Sequence, residues 1–433
     1  MKPSKYNYIL NNGDNYVFFN GITESSFQIG ANNWESFKKI IENPDENYSN
    51  FKSFIDKMKV QGFVTEDSTD EQTLIKQKYA IKRQPDVYEI MILPTYQCNL
   101  RCWYCVQDHK DLWISDGDVE KIKKRIERVM QEEEVKTLHI TWFGGEPLLA
   151  YNRIVEISEW AIDLCNSLDK EYYASITTNG TLLNKDRIAK LRELKVIQYQ
   201  ITIDGDKITH NSIKVLGHNS AFDVSLANIS EIAKHTRCTL RFNYTKDNLK
   251  PDAIIEDVKS RIPNEVRHNI TFLIYKVWQE NSESIDLNEV NRLVELSRNE
   301  NILPQLPGIG MCYADNKYFD CVFSNGKIGK CDNSNPNSKH VCGEIGEDGE
   351  IIWDGENFSL PGIFDETLNA DDCLKCRYFP VCWGPCPMKR EKMMDRYGKV
   401  LCQFVDKEKE MTEFLLNIYK NSIFRKNALS SGN

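Results

Sequence analysis

The run Tyr88-Glu89-Ile90-Met91-Ile92-Leu93-Pro94 is followed, after three residues, by Cys98-Asn99-Leu100-Arg101-Cys102-Trp103-Tyr104-Cys105. An apolar, strand-like segment thus delivers three cysteines spaced x3 and x2. Three thiolates can hold three corners of a cubane iron-sulfur cluster and leave the fourth iron open to a chelating ligand. A site one protein ligand short keeps a position for substrate or cofactor, which separates a catalytic metal centre from a closed structural one. A zinc ion here would want a fourth ligand, and only His109 is close enough in sequence to offer one.

About forty residues on, behind a second strand-like run, stands Gly144-Gly145-Glu146-Pro147. The triplet and this turn together resemble the radical S-adenosylmethionine (SAM) enzymes. From Tyr88 onward strands alternate with charged amphipathic segments such as Asp118 to Glu132, the signature of parallel β/α units. Six strands are expected: Tyr88 to Leu93, Thr137 to Phe143, Tyr172 to Thr178, Val196 to Ile203, Cys238 to Tyr244 and Asn269 to Tyr275. Six units instead of eight describe a partial (β/α)6 TIM barrel over residues 85–304, which the resemblance also implies. Its active residues belong at the C-terminal ends of the strands.

At 433 residues the chain has room for about three domains. A net charge of -9 with no basic face excludes a nucleic-acid footprint. No run approaches the ~18 apolar residues of a membrane span, and the N-terminus lacks the pattern of a signal peptide, so a cytoplasmic protein with no membrane partner is expected. Fourteen cysteines in such a chain call for metal or redox chemistry and not a disulfide framework. Nine of them lie between Cys312 and Cys402, whereas Cys165 and Cys238 sit in apolar stretches and read as buried small hydrophobes.

Residues 1–84 begin with strand-like runs, Tyr6 to Leu10 and Tyr16 to Asn20, around the turn signal Asn12-Gly13-Asp14. Helical patterns follow at Trp34 to Ile41 and Tyr48 to Gln61, the second ending at Gly62 before Phe63-Val64. This order resembles the winged-helix peptide recognition element of maturases acting on ribosomally made peptides. An N-terminal cap on the barrel is the alternative. After Pro304 the pattern turns to short elements, glycine turns and dense cysteine, which places a boundary near residue 305; the polar tail from Arg425 is expected to fray.

The radical SAM resemblance implies that Cys98, Cys102 and Cys105 ligate a [4Fe-4S] cluster to which SAM chelates. The backbone of Tyr104 would meet adenine, and the turn Gly144, Gly145, Glu146, Pro147 would receive the methionine amino group. Thr178 and Thr202, each closing or nearly closing a strand, resemble positions whose hydroxyls hold ribose or carboxylate. Arg241 is a candidate for the SAM carboxylate, with a structural arginine as the alternative.

Cys312-x13-Gly326-x4-Cys331, then Cys373-x2-Cys376-x5-Cys382-x3-Cys386, then Cys402, resemble the cysteine-rich SPASM/twitch extension, which implies two auxiliary [4Fe-4S] clusters over residues 305–433. By that resemblance Cys312, Cys321, Cys331 and Cys386 hold one, and Cys373, Cys376, Cys382 and Cys402 the other. Four thiolates each would close both clusters and suit them to passing electrons; a pair of structural zinc sites is the alternative. Cys342 fits neither set and is expected as a thiol. Asp332 occupies the place where sulfatase-maturing relatives use an aspartate as base, although Asp332-Asn333-Ser334-Asn335-Pro336 is also rich in turn formers.

The expected protein is therefore an α/β radical SAM/SPASM peptide maturase carrying SAM and three clusters. It would take hydrogen from a precursor peptide, install a thioether, C-C or C-O crosslink, and receive electrons from a flavodoxin or ferredoxin-type reductant. An anaerobic sulfatase maturase making formylglycine, and a non-catalytic metal-binding scaffold, are the alternatives.

Overall fold

A computed structural model describes residues 1–107, 109–280, 285–332, 341–353 and 371–430. Its contacts sort the chain into two units, Met1–Gln84 with Ile309–Asn316 and Ser359–Asn433, and Pro85–Gly308 with Lys317–Phe358.

In the first unit β1 (Lys2–Pro3) is followed by β2 (Asn7–Asn12) and β3 (Asn15–Asn20), an antiparallel hairpin, to which β4 (Ser26–Gly30) adds along β3. Gly13, at φ 67°, makes the tight connection. Helices α1 (Ala31–Glu42) and α2 (Pro44–Val60) come next, then β5 (Val64–Thr65), which pairs with β1, and α3 (Glu71–Arg83). Pro44 at the first position of α2 suits a residue with no amide hydrogen to place. Edge and stacked contacts among Phe18, Phe27, Phe37 and Phe63, at 4.7–5.7 Å between ring centroids, fill this part of the core.

The cysteine-rich end shares that unit. Tyr8 of β2 stacks on Tyr378 at 5.2 Å and 5°, its hydroxyl donates to the Arg377 carbonyl, and Arg377 Nη2 donates to the Asn7 carbonyl at 2.8 Å. Met411, Leu415 and Tyr419 of the helix Lys407–Ser430 complete the same apolar cluster, with Cys376 and Cys382 packed against it. This helix runs through the segment expected to fray, up to Ser430; residues 431–433 lie outside the described part.

The second unit is built on one sheet. All six expected strands form with ends within one residue: β6 (Val87–Ile92), β7 (Thr137–Trp142), β8 (Glu171–Thr178), β9 (Val196–Ile203), β10 (Arg237–Tyr244) and β11 (Ile270–Lys276), successive neighbours and parallel. The six-strand expectation is nonetheless incomplete. β12 (Leu303–Gln305) adds in parallel beyond β11, and β13 (Phe319–Val322) adds in parallel beside β6. Segments of three and four residues are too short for periodicity to register. β14 (Lys327–Gly329), β15 (Val341–Ile345) and β16 (Ile351–Trp353) then extend that side in antiparallel fashion.

Period-two alternation gives the sheet two unlike faces. Ile90, Ile140, Ala174, Ile201, Leu240 and Phe272 are at most 1% exposed and pack with helix residues such as Ile122, Ile154, Leu226 and Ile254. The intervening positions are mostly polar and half-buried: Glu89, His139, Thr141, Ser175, Thr177, Thr202 and Arg241. The helices cover one face with an apolar core, and the other is a polar surface. Among the described residues no helix is long and apolar enough to cross a membrane.

Candidate active site at the cysteine loop

The cysteine loop leaves the C-terminal end of β6 and is held there by backbone bonds. Gly145 N donates to Thr95 O at 3.0 Å and Glu146 N to Gln97 O at 2.8 Å, stapling the turn after β7 to the loop after β6. A Cβ on Gly145 would stand 2.3 Å from Gln97 O and 2.5 Å from Tyr96 O; one on Gly144, at φ 115°, would stand 2.5 Å from Thr95 O. Both glycines are therefore required by the approach of the cysteine loop itself. With these two amides committed, carbonyl oxygens are what the turn has to offer a cationic amine.

Glu146 is fully buried and clamps the neighbouring strand end. Its carboxylate accepts from Thr178 Oγ1 at 2.7 Å, Asn179 N at 2.8 Å and Leu148 N at 3.1 Å, while burial pushes its pKa up. Thr178, 3% exposed, also accepts from Gly180 N at 3.1 Å. Its hydroxyl is thus engaged within the protein. Pro147 opens the short 3-10 turn Pro147–Ala150 that follows.

Cys98 Sγ accepts from Leu100 N at 3.4 Å and from Asn179 Nδ2 at 3.7 Å, and Cys105 N donates to Cys102 O at 3.1 Å. Donors aimed at a sulfur suit a thiolate. Burial opposes it, raising the Cys98 thiol and pushing Cys102 up to about 11 despite the nearby Lys214. A bound metal resolves that conflict, since coordinated sulfur is deprotonated. Among the described residues no three His, Cys, Asp or Glu side chains are gathered around one ion-sized point; a cubane, with three thiolates on three separate irons, does not need them to be. The loop fits such a cluster.

Behind the third cysteine, Tyr104 Oη donates to Asp204 Oδ1 at 2.6 Å, and its carbonyl accepts from Gln279 Nε2 at 3.0 Å. Asp204, fully buried, pairs with Lys214 at 2.8 Å; Lys214 also donates to Thr202 O at 2.9 Å, and Asp204 N donates to His210 Nδ1 at 3.1 Å. Asp204, Lys214, His210 and Asn179 were not singled out from the sequence. The signals present were Asp204-Gly205 at a strand end, with Gly205 at φ 107°, and Asn179-Gly180 at another.

Arg241 pairs in register with Thr202, lies over the Tyr275 ring at 4.2 Å and donates from Nε to Asn243 Oδ1 at 2.9 Å. Burial lowers its pKa, while Tyr275, Tyr104, Asp332 and Asp204 pull the other way. Half-buried Asp332 therefore acts electrostatically on this side of the barrel; Asn333 to Pro336 and the Cys342 side chain lie outside the described residues. Cys321, on β13 beside Met91 of β6, and Cys331 belong to the barrel unit. Cys312 and Cys386 belong to the first unit, as do Cys373, Cys376, Cys382 and Cys402.

A parallel β/α sheet thus carries a three-cysteine loop after one strand and a glycine turn stapled to it after the next. Residues 92–258, the stretch that carries the cysteine loop and the glycine turn, match the Radical SAM superfamily model. The chain is 25% identical over 215 residues to Fe-coproporphyrin III synthase of Methanosarcina barkeri, covering 47% of this chain and 48% of that protein. It is 33% identical over 120 residues to an uncharacterised protein of Methanocaldococcus jannaschii, covering 28% and 39%. The chain thus spans less than half the length of these curated relatives. The fold is also that of anSMEcpe solved with AdoMet and Kp18Cys peptide (TM-score 0.56, 19% identity, 77% of this chain and 99% of that one). It is likewise that of Streptococcus suis SuiB bound to S-adenosylmethionine (TM-score 0.52, 17% identity, 94% and 100%).

Proposed function

We propose that this protein is a radical SAM peptide maturase that installs an oxidative crosslink in a ribosomally made precursor peptide. The observation that carries the reading is the extent of the fold match: it spans 94% of this chain and 100% of SuiB, and SuiB has also been solved with its precursor peptide SuiA. Cys98, Cys102 and Cys105 would hold the SAM-binding cluster, with Cys312, Cys321, Cys331 and Cys386, and Cys373, Cys376, Cys382 and Cys402, holding two auxiliary ones. Bound there, SAM and the clusters would supply a 5'-deoxyadenosyl radical that takes a hydrogen atom from a peptide carbon, and would accept the one electron left over when the new bond forms. The proton released in that step goes to a base, for which Asp332 is the candidate.

The turn Gly144 to Pro147 would bind the methionine amine through its carbonyls, the backbone of Tyr104 would meet adenine, and Thr202 and Arg241 would hold the ribose or carboxylate. Thr178 would act through Glu146, shaping the turn. The leader segment would add as a strand to the N-terminal sheet. Its edges are β2, where Asn7 O already accepts from Arg377, and β4. β4 is thus the edge proposed for the leader. A flavodoxin or ferredoxin-type protein would supply electrons in the cytoplasm.

A formylglycine-forming maturase is the second reading, favoured by the anSMEcpe likeness. Anaerobic reconstitution, iron and sulfide analysis, and SAM cleavage with a short peptide encoded beside the gene test both. About twelve irons per chain, 5'-deoxyadenosine and a peptide lighter by two hydrogens support crosslinking. A peptide aldehyde captured by a hydrazide supports the second reading. Bound zinc with no SAM cleavage overturns both. Slowed amide exchange over Ser26–Gly30 on peptide binding supports the β4 edge, and unchanged exchange overturns it.

A further inference from the structure

The polar face of the barrel holds a cluster that the cofactor chemistry leaves unused. Glu89, His139 and Tyr173 stand side by side on β6, β7 and β8, and Thr141 and Ser175 face each other one level nearer the strands' C-terminal ends. His139 Nε2 lies 2.9 Å from Ser175 Oγ, Thr141 Oγ1 lies 3.0 Å from Ser175 Oγ, and the Tyr173 ring stacks on the imidazole at 4.4 Å. Thr141 Oγ1 donates to Glu89 Oε1 at 3.1 Å, so the carboxylate leans toward the end where the cysteine loop sits.

Among the described residues the Glu89 carboxylate has no cationic partner. Its neighbour on β7 is His139, whose Nδ1 is 3.8 Å away and whose imidazole burial keeps neutral, lowering its pKa to about 4. Its register partner on β13 is Phe319. Among the described residues no lysine or arginine makes an ion pair with it, and burial raises its own pKa with only Thr141 opposing. Yet the side chain keeps 25% of its exposure, so it is reachable from solvent. A half-buried carboxylate in this state gains most from a cationic hydrogen-bond donor.

Length restricts the donor. The Glu89 carboxylate lies between the levels of His139 and Thr141, 3.8 Å from His139 Nδ1 and 3.1 Å from Thr141 Oγ1, and so about 7 Å, two residues at roughly 3.3 Å each, short of Trp142 at the end of that strand. A lysine or arginine side chain reaches about 6–7 Å from its Cα at ordinary bond lengths. A chain crossing the mouth beside the cysteine loop would reach Glu89 with such a residue and with no shorter one.

We propose that the barrel lumen is a specificity pocket for one long basic side chain of the substrate, with Glu89 as the counter-ion, Thr141 and Ser175 as hydrogen-bond partners and the stacked His139–Tyr173 pair as its wall. The inference rests on the peptide-substrate reading.

The test uses the reconstituted full chain with SAM. Nα-acetyl-lysine amide is compared with Nα-acetyl-norleucine amide, which has the same carbon chain without the charge, by equilibrium dialysis. The lysine amide should bind about tenfold more tightly, the size of one charge-assisted hydrogen bond. Glu89→Gln, which keeps an acceptor for Thr141, should erase the difference while iron content and SAM binding stay at wild-type levels. Equal binding of the two probes by the wild type, or lysine selectivity retained in Glu89→Gln, overturns the pocket. Failure of the peptide reading would appear elsewhere, as lysine selectivity intact with no peptide turned over.

Discussion

Arg390 Nη2 donates to both carboxylate oxygens of Asp315, at 2.8 and 2.6 Å, with the two side chains 0% and 3% exposed. Asp315 N bonds back to Cys312 O, and Arg390 N and Nε bond to Cys386 O and Pro385 O, so the pair ties together two cysteine-bearing turns. Burial pushes the Asp315 carboxyl up to about 7, opposed by Arg390. Removing Arg390 leaves a buried carboxyl that must either stay charged without a partner or take up a proton. Arg390→Met should therefore destabilise the unit by about 3–5 kcal/mol, and Asp315→Leu added to it should recover much of the loss. Anaerobic urea unfolding measures both, and an Arg390→Met midpoint equal to wild type would refute the clamp.

Gly145→Ala places a methyl group against the backbone oxygens of Tyr96 and Gln97, which cannot move without carrying Cys98 along. The variant should lose the SAM-site cluster, about four irons per chain after reconstitution. Gly117→Ala is the control, because its Cβ meets nothing nearer than Ser115 Oγ at 3.8 Å. Iron and sulfide analysis of the two variants side by side decides the matter; full loading of Gly145→Ala would count against the packing argument.

Tyr104→Phe removes the hydroxyl that donates to buried Asp204 and keeps the ring. Leaving that oxygen without its donor should cost about 1–3 kcal/mol. The loss should vanish when Asp204 is already replaced by Asn, a coupling that a double-mutant cycle of thermal unfolding reads directly. Additive effects of the two changes would contradict the contact.

His139, with its pKa lowered by burial to about 4 from an ordinary 6.5, carries a pH dependence of known sign. Between those values the unfolded chain takes up a proton that the folded chain refuses, so stability is complete above pH 6.5 and falls as pH drops toward 4. Below 4 both states are protonated and the loss stops growing. The full window corresponds to about 3 kcal/mol. His139→Gln should flatten this part of the profile in urea midpoints taken at pH 7.5 and 5, and an unchanged slope would show that the imidazole is not shielded.

Much of this protein is local and therefore readable in one dimension. The cysteine triplet, the glycine turn and the six long strands announce themselves by spacing and alternation, and the strand ends fall within a residue of those read from the chain. Thr178 shows where such reading stops. Its place at a strand end is legible in the sequence, but that its hydroxyl donates to Glu146, 32 residues away, is visible only in the structure.

By itself the sequence determined the β/α alternation, the cysteine loop and the glycine turn, because hydrophobic period and ligand spacing are properties of neighbouring residues. Only the tertiary structure decided what those elements meet. Register placed Glu89 beside His139, packing paired Asp315 with Arg390 across 75 positions, and the short strand β13 joined the barrel beside β6. Such pairings are set by which faces bury together and not by any pattern along the chain. For that reason Glu89 reads as an ordinary polar residue of a strand, and shows itself as a carboxylate with no lysine or arginine partner among the described residues only once the sheet is assembled.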